Sequence, residues 1–257
     1  MISASRGSSS TITFQDAATG TLVIWPYSYA EGMPDIRSFL YRTHDGGRTW
    51  THVGDPGGSD VTYSDADHAF TLGDEEGDGE TLRWSQDGGR TFAVHPSFRA
   101  CSVKDDPVFE GSRGLVPALC PAGAFVFLTN DAGITWIAAN RIEHGEDVGW
   151  MDFADLRRGV FVEPGKMHFT NDGGATWKDM PRPESGVSWS KDSVFSTIDS
   201  DSTTVLRDGR KVATVSSRTM VSFASFERTV LVIASSDDGS VVYRSRDGGD
   251  SFALLAR

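Results

Sequence analysis

The chain has 257 residues and a formal net charge of −12. That length suits one all-β domain, which routinely runs to roughly 200–250 residues undivided. The acidity works against nucleic acid or an anionic membrane surface as partner, since both require positive charge. No stretch approaches the roughly 18–20 apolar residues of a membrane span, and Met1-Ile2-Ser3-Ala4-Ser5-Arg6 has no apolar signal core. The expectation is a chain that stays inside the cell or one whose leader has been removed, with the compartment left open.

Taken in order, a polar stretch over 1–10 precedes an opening strand at 11–16, and the first unit culminates in Thr43-His44-Asp45-Gly46-Gly47-Arg48-Thr49-Trp50. The pattern Ser/Thr-x-Asp-x-Gly-x-Thr/Ser-Trp/Phe holds for Asp45 with Trp50 and returns for Asp87 with Phe92, Asp131 with Trp136, Asp172 with Trp177, and Asp247 with Phe252. Turn chemistry accounts for it. The Asp is expected to accept hydrogen bonds from backbone N–H groups one or two residues on. The Gly at position five supplies the positive φ of a tight hairpin, and the aromatic at position eight reaches back between sheets. Nothing in the pattern requires chemistry on a substrate, so these residues are assigned to structure.

The box aspartates lie 42, 44, 41 and 75 residues apart. The last gap is close to two of the others, so a unit without an intact box is expected between 178 and 216. Val205-Leu206-Arg207-Asp208-Gly209-Arg210-Lys211-Val212 fits as its worn turn. A period near 40 residues with four short strands per unit is the signature of a propeller. The expected fold is all-β, a six-bladed β-propeller with blades at about 8–55, 58–97, 101–140, 147–181, 186–216 and 219–257. The box turn joins the third and fourth strands of each blade, and in the second blade the strands are expected at 61–65, 69–72, 81–85 and 91–95. The sixth blade is expected to close on the first by packing alone. Cys101 and Cys120, the two cysteines, fall almost opposite one another if 103–109 and 113–119 form a hairpin. They are either a disulfide or two small buried residues.

The repeated box is identified as the Asp-box, and the chain resembles the Asp-box (BNR-repeat) β-propellers, the superfamily that includes sialidases. The resemblance implies that ligands meet the face opposite the box turns. The loops there are 26–37, 73–80, 120–123, 163–165 and 235–240, with the blade-to-blade loops 53–60, 96–104, 138–147 and 179–187. Several are acidic: Glu31 and Asp35; Asp74, Glu75, Glu76, Asp78 and Glu80; Glu143, Glu146 and Asp147; Asp237 and Asp238. Asp65, Asp67, Asp105, Asp106, Asp152 and Asp155 on the innermost strands are expected near the axis. This rim is either a solvated surface that aids solubility or a negative mouth that steers in a basic protein or a cation. Trp25, Tyr27 and Tyr29, before a loop, form either an aromatic sugar or protein platform or, for at least Trp25, part of the sheet packing. The 73–80 loop is rich in hard oxygens but lacks EF-hand spacing, so no metal and no cofactor are assigned.

Gly20-Thr21-Leu22-Val23-Ile24-Trp25, Ala30-Glu31-Gly32 and Asp35, followed by the first box, look like the start of a sialidase domain, with Asp35 matching the family's catalytic Asp. The family's substrate-clamping Arg-Ile-Pro, however, falls on Thr11-Ile12-Thr13, and a threonine cannot form the bidentate carboxylate clamp. Arg141, Arg182 and Arg218 sit in no family motif, and Tyr243 lies away from the expected mouth. The six histidines show no metal-ligand spacing. No Gly-x-Ser-x-Gly elbow or phosphate-binding loop appears. The sequence therefore points to a non-catalytic recognition scaffold for a protein, peptide or glycan, with a divergent sialidase-like glycoside hydrolase as the alternative.

Overall fold

The computed structural model describes residues 8–26, 38–58, 60–74, 80–142, 149–182, 187–189, 194–198, 203–215, 221–226, 228–236 and 239–256. Apart from a short 3-10 turn at Pro96–Phe98, its regular structure is all strand. The first sheet holds β1 (Ser8–Phe14), β2 (Gly20–Pro26), β3 (Phe39–Thr43) and β4 (Thr51–Gly54). The second holds β5 (Thr62–Tyr63), β6 (Ala69–Asp74), β7 (Glu80–Ser85) and β8 (Ala93–Val94). The third holds β9 (Ser102–Val103), β10 (Val108–Glu110), β11 (Arg113–Cys120), β12 (Gly123–Thr129) and β13 (Ile137–Ile142). The fourth holds β14 (Met151–Phe153), β15 (Gly159–Glu163), β16 (Lys166–Thr170) and β17 (Lys178–Pro181). The fifth holds β18 (Val187–Trp189), β19 (Val194–Ile198), β20 (Thr203–Arg207) and β21 (Arg210–Val215), and the sixth β22 (Val221–Phe226), β23 (Thr229–Ser236), β24 (Gly239–Ser245) and β25 (Ala253–Ala256).

Among the described residues, then, six antiparallel sheets follow one another along the chain, each joining neighbours in sequence order. This is the blade arrangement of a β-propeller. The chain separates into two compact units: Met1–His144 with Trp150–Gly159 and Thr170–Thr176, and Gly145–Gly149 with Val160–Phe169 and Trp177–Arg257. Within the first, Val23 and Leu40 of the first sheet bury against Val61 and Ala69 of the second, and Phe70 and Leu82 against Val116, Phe127 and Trp136 of the third. Within the other, Val160, Val162, Met167, Met180 and Val194 form one cluster, and Val205, Val230 and Val232 another. Alternate strand residues supply these layers, as a period-2 element requires.

The boxes are true corners, but their wiring differs from the sequence expectation. The Asp131 carboxylate does not serve residues one or two places on. It accepts the Thr135 N–H at 2.9 Å on one oxygen and the Thr135 hydroxyl at 2.6 Å on the other, with the Thr129 hydroxyl at 2.7 Å. Thr129 Oγ1 in turn accepts the Gly133 N–H at 3.0 Å. The same set recurs at Asp45, Asp87, Asp172 and Asp247. The opening Ser/Thr and the Thr/Ser at position seven are thus as necessary as the Asp. Gly133 has φ +85°, which an L-residue adopts only with strain.

A second repeat was missed. Asp16, Asp65 and Asp155 sit in the turns between first and second strands, where Oδ1 accepts two backbone N–H groups, from residues 18 and 19, 67 and 68, and 157 and 158. Carbonyls of these turns take an N–H from the neighbouring box: Ala18 from Gly46, Asp67 from Gly88, Arg157 from Gly173. Asp65 and Asp155 are therefore caps at the box end, not groups near a mouth, and Asp67 shares that turn. An aromatic-x-Asp spacing, in Phe14-Gln15-Asp16, Tyr63-Ser64-Asp65 and Phe153-Ala154-Asp155, carried the signal. The fifth sheet's corner, expected as a worn box, is a two-residue Asp208-Gly209 turn with φ +51° and +75°, as in a type I′ hairpin, and its aspartate accepts the Val194 N–H at 3.0 Å.

Several strands also run into segments expected as loops. Gly73, Asp74 and Glu80 are paired in β6 and β7, Cys120 pairs with Gly123, and β13 extends to Ile142. In the second sheet β5 and β8 keep only two residues each.

Candidate functional site

Among the described residues, the third sheet's first strand is broken in two. β9 and β10 both pair with β11, through Val103 to Ala118 and Val108 to Leu115; the Lys104 N–H still reaches the Pro117 carbonyl at 3.0 Å, and residues 105–107 bow out. Asp105-Asp106-Pro107 explains the break: proline has no N–H for the ladder and holds the residue before it extended. Two adjacent, half-buried carboxylates are consequently placed on the first strand of this sheet. Cys101 and Cys120 are joined by a disulfide with Cα atoms 4.2 Å apart, which ties the chain leading into β9 to the end of β11.

Asp105 Oδ2 accepts the N–H of Phe153, on β14, at 2.8 Å. Asp106 Oδ1 is buried and has no hydrogen-bond partner among the described residues. Burial raises Asp105 to about 7, outweighing the Phe153 N–H that favours its charged form, and the charges of Asp152 and Asp106 push the same way. Burial raises Asp106 to about 6, with Asp60 and Glu80 adding repulsion. Asp106 and Asp152, on β14, thus act on Asp105, while Asp60, before β5, and Glu80, at the start of β7, act on Asp106. Such a cluster takes up protons as pH falls and gives them up when a cation arrives. A carboxylic acid still protonated near neutrality is also, in principle, a general acid.

The other sequence-assigned residues fall into three groups. Tyr27, Tyr29, Glu31, Asp35, Glu75, Glu76, Asp78, Glu143, Glu146, Asp147, Asp237 and Asp238 lie outside the described residues. Trp25 lies in β2, opposite Ser9, and Asp74 ends β6 opposite Glu80. The box aspartates are spent on their own turns: the Thr135 hydroxyl holds Asp131 at about 2, and the Thr91 hydroxyl does the same for Asp87. Tyr63, which is not a box residue, donates its hydroxyl to the Gly88 carbonyl and carries the Arg42 guanidinium 4.1 Å above its ring.

Sequence reasoning named Asp105, Asp106, Asp152 and Glu80 without seeing that they converge, and it did not single out Asp60 beyond its loop. The Asp-Asp-Pro string was the available signal. In the other unit it also missed His168, whose ring nitrogens each lie 2.9 Å from a carboxylate oxygen, of Glu163 and of Asp179. His168 stacks on Phe161 at 4.1 Å, so this group is built into its sheet. Among the described residues, no three His, Cys, Asp or Glu side chains are grouped as a metal site, and no helix is long and apolar enough to cross a membrane.

No protein-family model and no curated protein sequence matches the chain. Solved structures do. YCF48 bound to D1 peptide aligns with a TM-score of 0.57 at 16% identity, over 95% of this chain and 79% of that one. Oligopeptidase B from Leishmania major aligns at 0.61 and 11% identity, over 96% of this chain and 40% of that one. An ancestral GH74 enzyme aligns at 0.53 and 12% identity, over 91% and 36%. The chain thus spans well under half the length of either enzyme. What it has in common with all three is the fold, that of a β-propeller.

Proposed function

We propose that the protein is a non-catalytic recognition scaffold whose acidic mouth holds a basic peptide or protein segment. The observation that carries this reading is the convergence of Asp60, Glu80, Asp105, Asp106 and Asp152, with a buried Asp106 oxygen that no described donor satisfies. A lysine or arginine side chain brought to the cluster would supply the missing donor and the compensating charge. The neighbour YCF48, solved with a peptide bound, is consistent with a propeller of this size working by peptide capture. The box wiring supports placing the chain among the Asp-box propellers of the sialidase-like superfamily. Within it, Thr11-Ile12-Thr13 replaces the arginine clamp, and a glycan is the less favoured ligand for that reason.

The test is fluorescence anisotropy with a labelled nonapeptide carrying two lysines and two arginines, beside an uncharged control. Binding should tighten between pH 5 and pH 8 as Asp105 and Asp106 ionise, and weaken with added salt. The Asp105→Asn/Asp106→Asn double variant should bind roughly tenfold or more weakly near pH 8. Equal affinity of the variant, or equal binding of the uncharged control, rules out the mouth.

One observation keeps hydrolysis as a second reading: Asp105 holds its proton close to neutrality, as a glycosidase acid must. Release of fluorophore from aryl glycosides or sialosides, lost on Asp105→Asn or Asp35→Ala, would replace the scaffold by an enzyme.

A further inference from the structure

Two of the box turns in the first unit, those of Asp131 and Asp172, border a cleft. It encloses about 300 Å³ in the first unit, between the third sheet and two turns of the chain that follows it. Leu128 of β12 and Leu156 contribute apolar surface, and Asn130, Asn140, Arg113 and Arg157 contribute polar groups. That volume is at the lower end of small-ligand sites.

In a chain of net charge −12, two guanidiniums on one small cleft are against the trend. Neither is spent on a carboxylate among the described residues. The neighbouring acid, Asp155, is engaged by Arg158, whose Nε lies 2.8 Å from Asp155 Oδ2. Arg157 uses Nε to hold the Asn171 carbonyl at 3.3 Å. That bond fixes the plane of the guanidinium and leaves its Nη1/Nη2 edge, the edge that pairs with a carboxylate through two parallel N–H bonds. Asn140 donates Nδ2 to the Gly173 carbonyl at 2.9 Å, so its amide is oriented as well. Asp172 also lines the cleft, but Thr170 and Thr176 occupy both of its oxygens. Its negative charge remains, and it selects against a dianion such as phosphate more than against a singly charged carboxylate.

We propose that this cleft binds a carboxylate group, held between Arg113 and Arg157 with the Asn130 and Asn140 amides beside it. The proposal is independent of the acidic mouth, which takes ligand of the opposite charge. The carboxylate has two possible sources, the free C-terminus of a peptide and a small organic acid, and the two small leucine surfaces suit a short aliphatic portion of either.

The experiment uses the whole chain, with the Arg157 Nε–H and the Asn130 and Asn140 amide signals followed by nitrogen–proton NMR. Three probes are titrated: an N-acetylated tripeptide ending in leucine with a free C-terminus, the same peptide with a C-terminal amide, and glutarate. Saturable shifts with the free-acid peptide but not its amide assign a peptide terminus, and saturation by glutarate assigns a small acid. In either case Arg157→Gln and Arg113→Gln should weaken binding at least about tenfold, with Arg157→Lys intermediate because it keeps the charge and loses the fork. Unchanged Tm of these exposed-site variants shows that the fold is retained. Indifference to C-terminal amidation, indifference to both arginine substitutions, or no saturable shift with any probe overturns the proposal.

Discussion

Aspartate meets two opposite fates in this molecule. At the box turns, carboxylates such as Asp87 and Asp131 stay near solvent, accept the hydroxyl and N–H of a threonine four residues on, and are held at about 2. At the broken strand, Asp105 and Asp106 are half-buried beside like charges and are raised to about 7 and about 6. The residue type is the same, and the difference lies in desolvation: Asp105 also accepts two backbone N–H groups, from Phe153 and Asp106, yet burial and the neighbouring charges outweigh them. A carboxylate near solvent and surrounded by hydrogen-bond donors is part of the scaffold, whereas one desolvated beside like charges is held in an unfavourable state that a ligand can relieve.

The largest effect expected comes from breaking the box end at its backbone. Gly133→Ala places a methyl into the Phe70 ring at a φ of +85°, and should cost about 3 kcal/mol in chemical denaturation, from strain and overpacking together. Loss of less than about 1 kcal/mol would mean that the corner is not the rigid element described. Removing the acceptor instead, by Asp131→Ala, should cost about 1–2 kcal/mol, since exposed hydrogen bonds are each worth little net. That loss should shrink at low pH. A carboxylate held below its ordinary value stabilises the fold above about pH 4, and the contribution fades as pH falls towards 2.

The mouth should respond in the opposite sense. Asp105 and Asp106 bind protons more tightly folded than unfolded, so their ionisation destabilises the fold as pH rises from about 4 to about 7. Asp105→Asn/Asp106→Asn, in which the amide oxygen can still accept the Phe153 N–H, should raise stability near pH 8 by about 1–3 kcal/mol and leave it unchanged near pH 4. A double variant less stable than the parent near pH 8 would show that the pair is structural after all. The smallest effect is expected at Asp74, which ends β6 beside Glu80: Asp74→Lys should change peptide affinity by no more than a few-fold, through screened attraction alone.

The fold was legible because its corners repeat in sequence. Each box needs Asp, Gly, Thr/Ser and an aromatic at fixed offsets, and a local requirement of that kind leaves a local trace. The companion turns around Asp16, Asp65 and Asp155 leave a fainter one, since only the aspartate and an aromatic two residues earlier recur, and Asp65 and Asp155 were drawn to the mouth on their charge alone. The acidic cluster was half legible. Asp105, Asp106 and Asp152 were identified as inner-strand acids. That Asp60 and Glu80, from the neighbouring sheet, act on the same pair depends on packing between strands far apart in sequence, which no spacing encodes. The arginine cleft left no trace, because Arg113 and Arg157, 44 residues apart in sequence, line one cleft only once the chain has folded.

The most direct measurement is a side-chain carboxyl carbon titration of the aspartates by NMR, from pH 2 to pH 9, with Asp105, Asp106 and Asp131 assigned by substitution to Asn. The account predicts that Asp131 stays ionised down to the acid end while Asp105 and Asp106 titrate between about 5 and 8, and that a saturating basic peptide moves both of the latter downward. If all three titrated together near pH 4, the distinction between scaffold and mouth would be contradicted.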